Sequence, residues 1–529
     1  MDRGRGRDRR PGRRVPAGHD QHAAGAEGHE VAQARRDAGQ LPGEPAAPPA
    51  HEDRRVHQRR IGERLIRTAE PRQAPGFFVC GAGAAVRAGL WSCATRAGAR
   101  LRPARPSDAV SHETAGRWAT VWLLLAVGIF ANVDRQVLNV LVEPVKAEFG
   151  FSDKVMGLLT GAAFSVVYAT LGIPLAMLAD RANRTRLIAA AIAAWSVMTV
   201  FCGLAATAVQ LVLSRIGVAL GEAGAGPASQ SIVSDLFAPA ERATPMAILA
   251  TGPNLGILLG FAAGSVLSAL FDWRAAFIVV GAPGLLMAVL VLAVMREPRR
   301  VADRPDVADE ASVAGFADLL RTIGAKPSLF FIIAGFTFAG MFGYGAIAWA
   351  TAFFHRSYGL TAGQIGLPIG LIVGIGGTIG TFAGGYLADR VGGADSRWRL
   401  WIVCIAAAVA LPMAAGAFLV HNPWLTLALL SVPASIAIFH AGPSYALVQQ
   451  LVPLRMRALA AAFLLFSLNV IGGGIGPFYV GVLSDALEPS LGGESLRWAM
   501  LTLTVPMALS VLFYFLAART LRRDLEEAA

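Results

Sequence analysis

The chain has 529 residues, of which 54% are hydrophobic and only 16% charged; a soluble domain carries about 25% charged residues, so a water-soluble globular protein is excluded. The net charge of +11 is no pointer to nucleic acid, because residues 1–110 hold 21 Arg, no Lys and 12 acidic residues and so carry +9 of it. Cys80, Cys93, Cys202 and Cys404 have no paired metal-ligand spacing, and neither a metal nor a cofactor is expected.

Residues 1–110 are rich in Arg, Ala, Gly and Pro and lack helical or strand periodicity, which is the composition of a disordered segment. No charged-then-apolar signal peptide opens them. After Met1 the next methionine is Met156. Two expectations follow: translation starts at a non-Met codon near Val110 and the tail is upstream sequence, or the tail is a basic arm that touches anionic lipid.

From Trp118 onward the chain is a series of long apolar runs. They fall at approximately 118–140, 155–178, 187–207, 209–233, 243–270, 274–295, 327–354, 363–388, 399–420, 424–449, 457–484 and 497–519. Each meets the roughly 20 apolar residues a helix needs to cross a bilayer. With the N-terminus placed in the cytoplasm, the inner loops and tails hold 19 Lys and Arg and the outer loops five. That bias supports an even number of spans with both termini cytoplasmic. The expected fold is an all-α integral membrane protein, placed in a bacterial inner membrane and working as a monomer. It has twelve transmembrane helices in two pseudo-symmetric six-helix bundles, 115–295 and 327–523. The longest polar break, 296–326, lies between them. Within it Val313, Phe316, Leu319, Leu320 and Ile323 recur at helical spacing, which predicts a short helix on the membrane surface.

The halves repeat. Leu178-Ala179-Asp180-Arg181 recurs as Leu387-Ala388-Asp389-Arg390, and Arg242-Ala243 with Asn254 recurs as Arg457-Ala458 with Asn469. Two six-helix bundles around a midplane site are the architecture of alternating access.

Charges inside spans cost at least ~2.5 kcal/mol each and mark pathways. Arg215 and Glu222 lie seven residues apart in the fourth run, two helical turns, so they share a face. Gly221, Gly224, Gly226 and Pro227 thin or interrupt that helix. Asp134 and Arg135 are the other deep charges. Depth counting places Asp134 about 24 Å from the inner end of its span and Arg215 about 9 Å from the outer end of its own, so these two are expected to pair, with Glu222 nearer the midplane. Asp134 and Glu222 are the candidate proton carriers, competing for Arg135 and Arg215, so that protonation releases an arginine to bind an anionic group. The second half offers no deep charge; its candidates for substrate contact or charge relay are Tyr344, Trp349, His440 and Asn469. Gly252, Gly256, Gly260 and Gly264, four apart, permit close helix packing along the fifth run.

The pattern Gly-x-x-x-Asp-Arg-x-Gly-Arg-Arg of the major facilitator superfamily is resembled by Ala176 to Arg186, with Ala176 and Asn183 where Gly is usual, and by Gly385 to Arg390. The resemblance covers roughly 115–523. It implies that Asp180, Arg181, Arg184, Asp389 and Arg390 latch a cytoplasmic gate. Asn132-Val133-Asp134-Arg135, Phe149 to Asp153, Ala194-Trp195-Ser196, Arg215 to Ala223, Ser234 to Phe237 and Asp272-Trp273-Arg274 together resemble the spinster-like group. That likeness implies a lysolipid or sphingoid-lipid substrate with proton coupling. Asp134-Arg135 and Arg215 with Glu222-Ala223 also resemble the anion:cation symporters, which leaves organic acids as the alternative cargo.

The expected function is a secondary transporter for a small amphipathic or anionic solute, with protons and membrane lipids as its other partners and no nucleic acid. An enzyme is not expected: no Gly-x-Ser-x-Gly and no His-Glu-x-x-His occurs, and Lys146, Lys154 and Lys326, the only lysines, form no phosphate loop. A membrane receptor without turnover stays open as a reading of another class.

Overall fold

The computed structural model describes residues 106–179, 181–238, 241–298, 315–393 and 395–526. The expectations for the tail before residue 106 and for Asp180 fall outside these residues. Every regular element among them is helical. Eleven stretches are long and apolar enough to cross a membrane. Spans 1 to 6 are Gly116–Val140, Asp153–Ala179, Arg184–Leu204, Ala208–Leu236, Ala243–Leu270 and Trp273–Val294. Spans 7 to 10 are Pro327–Tyr358, Ala362–Val391, Trp398–Leu419 and Pro423–Leu451. The eleventh stretch, Leu454–Glu526, has 73 residues; as one helix it would run ~110 Å, far beyond a hydrocarbon core of ~30 Å. It turns at Gly492, whose φ of +53° suits a residue without a side chain. It therefore holds two crossings, span 11 up to Leu491 and span 12 from Ser495 to Glu526, which makes twelve among the described residues.

Several spans are not continuous α-helices, and spans 4, 10 and 11 are interrupted near their middles. Span 4 runs as Ala208–Ala223 and resumes as Ala225–Leu236, with Gly224 between. Pro227 lacks the N–H that would bond to the Ala223 carbonyl. Span 10 runs as Pro423–Ile436 and Ala441–Leu451, and the turn between them ends on His440. Pro443 likewise leaves the Phe439 carbonyl without its helical donor. The Ser435 and Phe439 carbonyls lie against Gly380 and Gly384 of span 8, where any β-carbon would collide with them. Spans 2 and 11 each carry a π-helical segment, Leu158–Ala162 and Leu468–Ile475. The two segments face each other: a β-carbon on Gly161 would lie 2.8 Å from the Gly474 carbonyl oxygen.

The glycine stripe of span 5 packs on span 1. Gly256 lies over the Ile129 carbonyl and Asn132, Gly260 over Gln136 and Gly264 over Val140. The helix Phe316–Ala325 docks on the second half. Its Leu319 is fully buried there, Phe316 meets the Phe463 ring at 6.0 Å, and Lys326 Nζ donates to the Leu451 carbonyl at 2.8 Å.

Hydrogen bonds and ion pairs join the two halves at the end that carries residues 143–153. Arg356, at the close of span 7, donates to Glu143 at 2.8 Å and to both oxygens of Asp153 at 2.5 and 2.8 Å. Asp153 also accepts from Lys146 Nζ and from Ser484 Oγ of span 11. Asp485 accepts from the amides of Asp153 at 2.9 Å and Lys154 at 2.8 Å. A carboxylate from the second half thus caps the N-terminus of a helix in the first, where free amides and the helix dipole favour it.

Gly256→Ala places a β-carbon 2.7 Å from the Ile129 carbonyl oxygen. It is expected to destabilise the folded protein by roughly 1–3 kcal/mol through overpacking, read as a lower thermal unfolding midpoint. Gly385→Ala, which meets open space, should cause no loss.

Candidate functional site

Span 1 carries Asp134 and Arg135 on adjacent residues, and a helix turns about 100° between them. They therefore reach different neighbours. The Arg135 guanidinium extends to span 2, where it lies between the Phe164 and Tyr168 rings at 4.5 and 4.6 Å. These rings are one helical turn apart and stacked. Cation–π contacts of this kind are worth about 2 kcal/mol when shielded from water. The Arg135 Nε donates to Glu222 Oε2 at 2.6 Å. Asp134 turns toward span 3 and accepts from Thr199 Oγ1 at 3.1 Å.

Asp134 and Arg215 do not form the expected ion pair; Arg135 holds Glu222 instead, and a threonine holds Asp134. Depth along the helix axis was compatible with the first pairing, but azimuth decides between them, and the two side chains of span 1 leave the helix in different directions. Arg215 Nε and Nη1 have no hydrogen-bond partner, and neither has Glu222 Oε1 nor Asp134 Oδ1. Arg215 is 2% exposed and Glu222 3%. Four charged side chains thus stand near one another with four polar atoms unsatisfied, each of which costs free energy unless something else meets it.

Arg135 and Arg215 line a cavity of about 390 Å³ between the two halves. Its wall also includes Asn132, Gln136, Asn139, Phe164 and Tyr168 from the first half and Tyr344, His440 and Asn469 from the second. Apolar side chains such as Ile257, Ile369, Leu427 and Leu430 make up much of the rest. Glu222 lies behind Arg135 and does not itself line the space. His440 is buried, with the Phe336 ring edge-on at 4.9 Å. Trp349 is not part of the wall: its ring is buried and its Nε1 donates to the Pro477 carbonyl at 2.9 Å, so it braces span 7 against span 11. Thr199, Phe164, Tyr168, Gln136 and Asn139 are absent from the sequence-derived candidates. The spacing of Asn132, Gln136 and Asn139, one face of a helix inside an apolar run, was the signal available for three wall amides.

The gate candidates separate into two kinds. Arg184 is buried and ties its own span to two others: Asp235 and Ser231 of span 4 at 2.5 and 2.9 Å, and Glu297 after span 6 at 2.8 Å. Burial pushes the Glu297 carboxyl up, but the Thr185 amide and the Arg184 guanidinium outweigh it and hold it below its ordinary range. These bonds stay within the first half. Arg181, Asp389 and Arg390 are exposed, and Arg390 donates to its own helix neighbour Tyr386 at 3.1 Å.

Comparison with known proteins places this geometry. The Major Facilitator Superfamily profile matches residues 124–477. An MFS-type efflux pump of Mycolicibacterium smegmatis is 36% identical over 431 residues, covering 80% of this chain and 99% of that protein. A probable L-galactonate transporter of Escherichia coli is 24% identical over 411 residues, 75% of this chain and 88% of that one. A crystal structure of a bacterial homologue of the human lysosomal transporter Spinster, inward-facing and unoccupied, superposes with a TM-score of 0.71 at 30% identity, covering 77% of this chain and 98% of its own.

The Glu297 pairing carries a pH signature. A carboxyl held below its unfolded value stabilises the fold above that value, about 4.3 for Glu, and loses the contribution as pH falls through its folded value. The difference in thermal midpoint between wild type and Glu297→Gln should therefore hold from pH 7 to about pH 5 and shrink below. A difference that stays constant down to the acid limit of folding would contradict the pairing.

Proposed function

The chain belongs to the Major Facilitator Superfamily, in its spinster-like group, and from that membership we propose that it is a proton-coupled secondary transporter for an anionic, amphipathic solute. The observation that carries this reading is Arg215, a buried guanidinium on the cavity wall with two unpartnered nitrogens. Arginine presents its donors in a planar fork suited to carboxylate or phosphate, so an anion is the natural occupant. The apolar remainder of the wall suits a solute with a hydrocarbon portion.

Coupling follows from the neighbours. While Glu222 is ionised it holds Arg135 against the Phe164 and Tyr168 rings. A proton on Glu222 removes the charge that retains Arg135 and leaves two guanidinium groups for one anion. Asp134, on Thr199, offers a second carboxylate that can take a proton and change the field at Arg215. With Lys and Arg concentrated on the cytoplasmic side, the end closed by Arg356 and Asp153 faces outward and the cavity opens inward. The relative in the inward-facing state supports that assignment.

The test is uptake into liposomes that contain the purified protein, with and without an imposed proton gradient, of a labelled lysophospholipid and a hydrophilic organic anion. Gradient-dependent lysolipid movement, reduced at least about tenfold in Glu222→Gln as expected for loss of a coupling group, is the predicted outcome. Undiminished pH-driven transport in Glu222→Gln would refute the coupling role. Movement of the organic anion alone would favour the symporter reading that the Escherichia coli relative suggests and make Arg215 a carboxylate clamp.

A further inference from the structure

The chain contains six asparagines. Asn183 and Asn422 cap helices, accepting from backbone amides two or three residues on. The other four, Asn132, Asn139, Asn254 and Asn469, all line the one cavity, and Gln136 joins them there. Asparagine is a weak helix former, and a carboxamide in an apolar span is costly unless it is bonded. The usual use of such groups is to bond across helices. The bonds seen here stay inside single helices. Asn132 Nδ2 donates to the Gly128 carbonyl, Asn139 Nδ2 to Gln136 Oε1, and Asn469 Nδ2 to the Leu465 carbonyl, each at 2.9 Å. They occupy one group of each amide and hold its orientation. The Gln136 Nε2 donor and the Asn132, Asn139 and Asn469 Oδ1 acceptors are left for an occupant. Gln136 and Asn139 are only 7% and 8% exposed, so bulk water does not serve them as it would surface amides.

We propose that these carboxamides read hydroxyl groups that the solute carries beside its anion, so that the preferred cargo is an anionic amphiphile with a hydroxyl-bearing head. The inference rests on the anion site proposed above and narrows it. Donors and acceptors side by side match hydroxyls, which both donate and accept, whereas a carboxylate or phosphate only accepts. Asn132, Arg135, Gln136 and Asn139 occupy positions i, i+3, i+4 and i+7, a single helix face. Neighbours on such a face are about 5–6 Å apart, so the hydroxyls read there belong to carbons close to the anionic group. The apolar wall formed by Ile257, Ile369, Val373, Leu427, Leu430 and Ile438 takes the chain. A free sugar acid presents the same anion and hydroxyls without the chain.

The test is equilibrium binding to the full chain in lipid nanodiscs of a matched pair, dodecylphosphoglycerol and propyl dodecyl phosphate. They have the same charge and chain and differ in two hydroxyls. Galactonate serves as a competitor. Dodecylphosphoglycerol should bind at least about tenfold tighter than its partner, the worth of one to two hydrogen bonds. Gln136→Leu and Asn469→Leu should each bring the ratio to within about twofold of unity on the same grounds. Asn469 stands on a half-buried wall, which keeps the test available if Gln136→Leu disturbs packing on Gly260. Competition by galactonate as strong as that of dodecylphosphoglycerol would support hydroxyl reading and assign the head to a soluble acid; weak competition would assign it to a lipid. Equal binding of the matched pair to wild type, or a preference that survives both substitutions, would overturn the proposal and leave the anion site standing. Failure of both probes to bind, with no change in Arg215→Gln, would remove the anion site and this inference together.

Discussion

The contact between Arg135 and Glu222 is the constraint that organises the interior. At 2.6 Å, with the Glu222 side chain 1% exposed and that of Arg135 25%, it is an ion pair whose carboxylate is taken out of water at a cost of several kcal/mol. The protein offsets part of this with the two aromatic rings that hold the guanidinium. It leaves the remainder open, since Glu222 keeps one oxygen unbonded and Arg215 keeps two donors unbonded. Evolution could have closed these valences with a serine or threonine on a facing helix, as Thr199 does for Asp134. Their vacancy is what supports the proposed role of this place in cargo and proton binding, and the neighbouring backbone is interrupted as well. Gly224 breaks span 4 two residues beyond Glu222, and the glycines of span 5 let span 1, which carries Arg135, pack closely against it.

The two halves divide that labour unequally. Spans 4 and 10 are both broken at midspan and both beside a titratable side chain, Glu222 in one and His440 in the other. Spans 2 and 11 both hold a π-helical segment where they meet. The backbone plan is therefore repeated, while the charge is not. The first half supplies all four deep charges, and the second supplies Tyr344, Asn469 and a largely apolar wall. An occupant of the proposed anionic kind would have its charged end on one bundle and its body against the other. That arrangement suits a solute whose release depends on the bundles parting.

Most of the fold was legible in the amino-acid order, because long apolar runs and the asymmetry of Lys and Arg are one-dimensional signals. The crossing count needed both readings, since the last two spans run on as one apolar helical stretch that turns at Gly492. At the site, Asp134, Arg135, Arg215 and Glu222 were legible as charges where charge is expensive. Their pairing was not. Depth along a helix can be counted from sequence, whereas the direction in which adjacent residues leave it depends on how spans 1, 2 and 3 are rotated against one another. Trp349 failed as a wall candidate for the same reason, because its helix face is turned to Pro477. The bridge of Arg356 to Asp153 and Glu143 was invisible for another: its members stand more than 200 residues apart in the chain, at a rim where charge is unremarkable.

That rim and the cavity obey different rules, and the difference bears on how the halves can part. Asp153 is itself buried beneath Arg356, Lys146 and Ser484, but it sits at the end of its span. Separating the halves there exchanges the Arg356 and Ser484 donors for water while Lys146 stays with Asp153, and a hydrated carboxylate needs no proton to tolerate the change. Glu222 at midspan has no such exchange. Stripped of Arg135 while ionised, it would be an unpaired charge in an apolar interior, a loss of about 3–5 kcal/mol for breaking a buried pair. The rim bonds therefore bear on how readily the closed end opens, and in the proposed mechanism the proton on Glu222 decides whether Arg135, on the cavity wall, is released. In the proposed mechanism, two controls at different depths let one bundle rock on the other without exposing the pair, provided that the ion pair stays within a single half. Both Arg135 and Glu222 belong to the first.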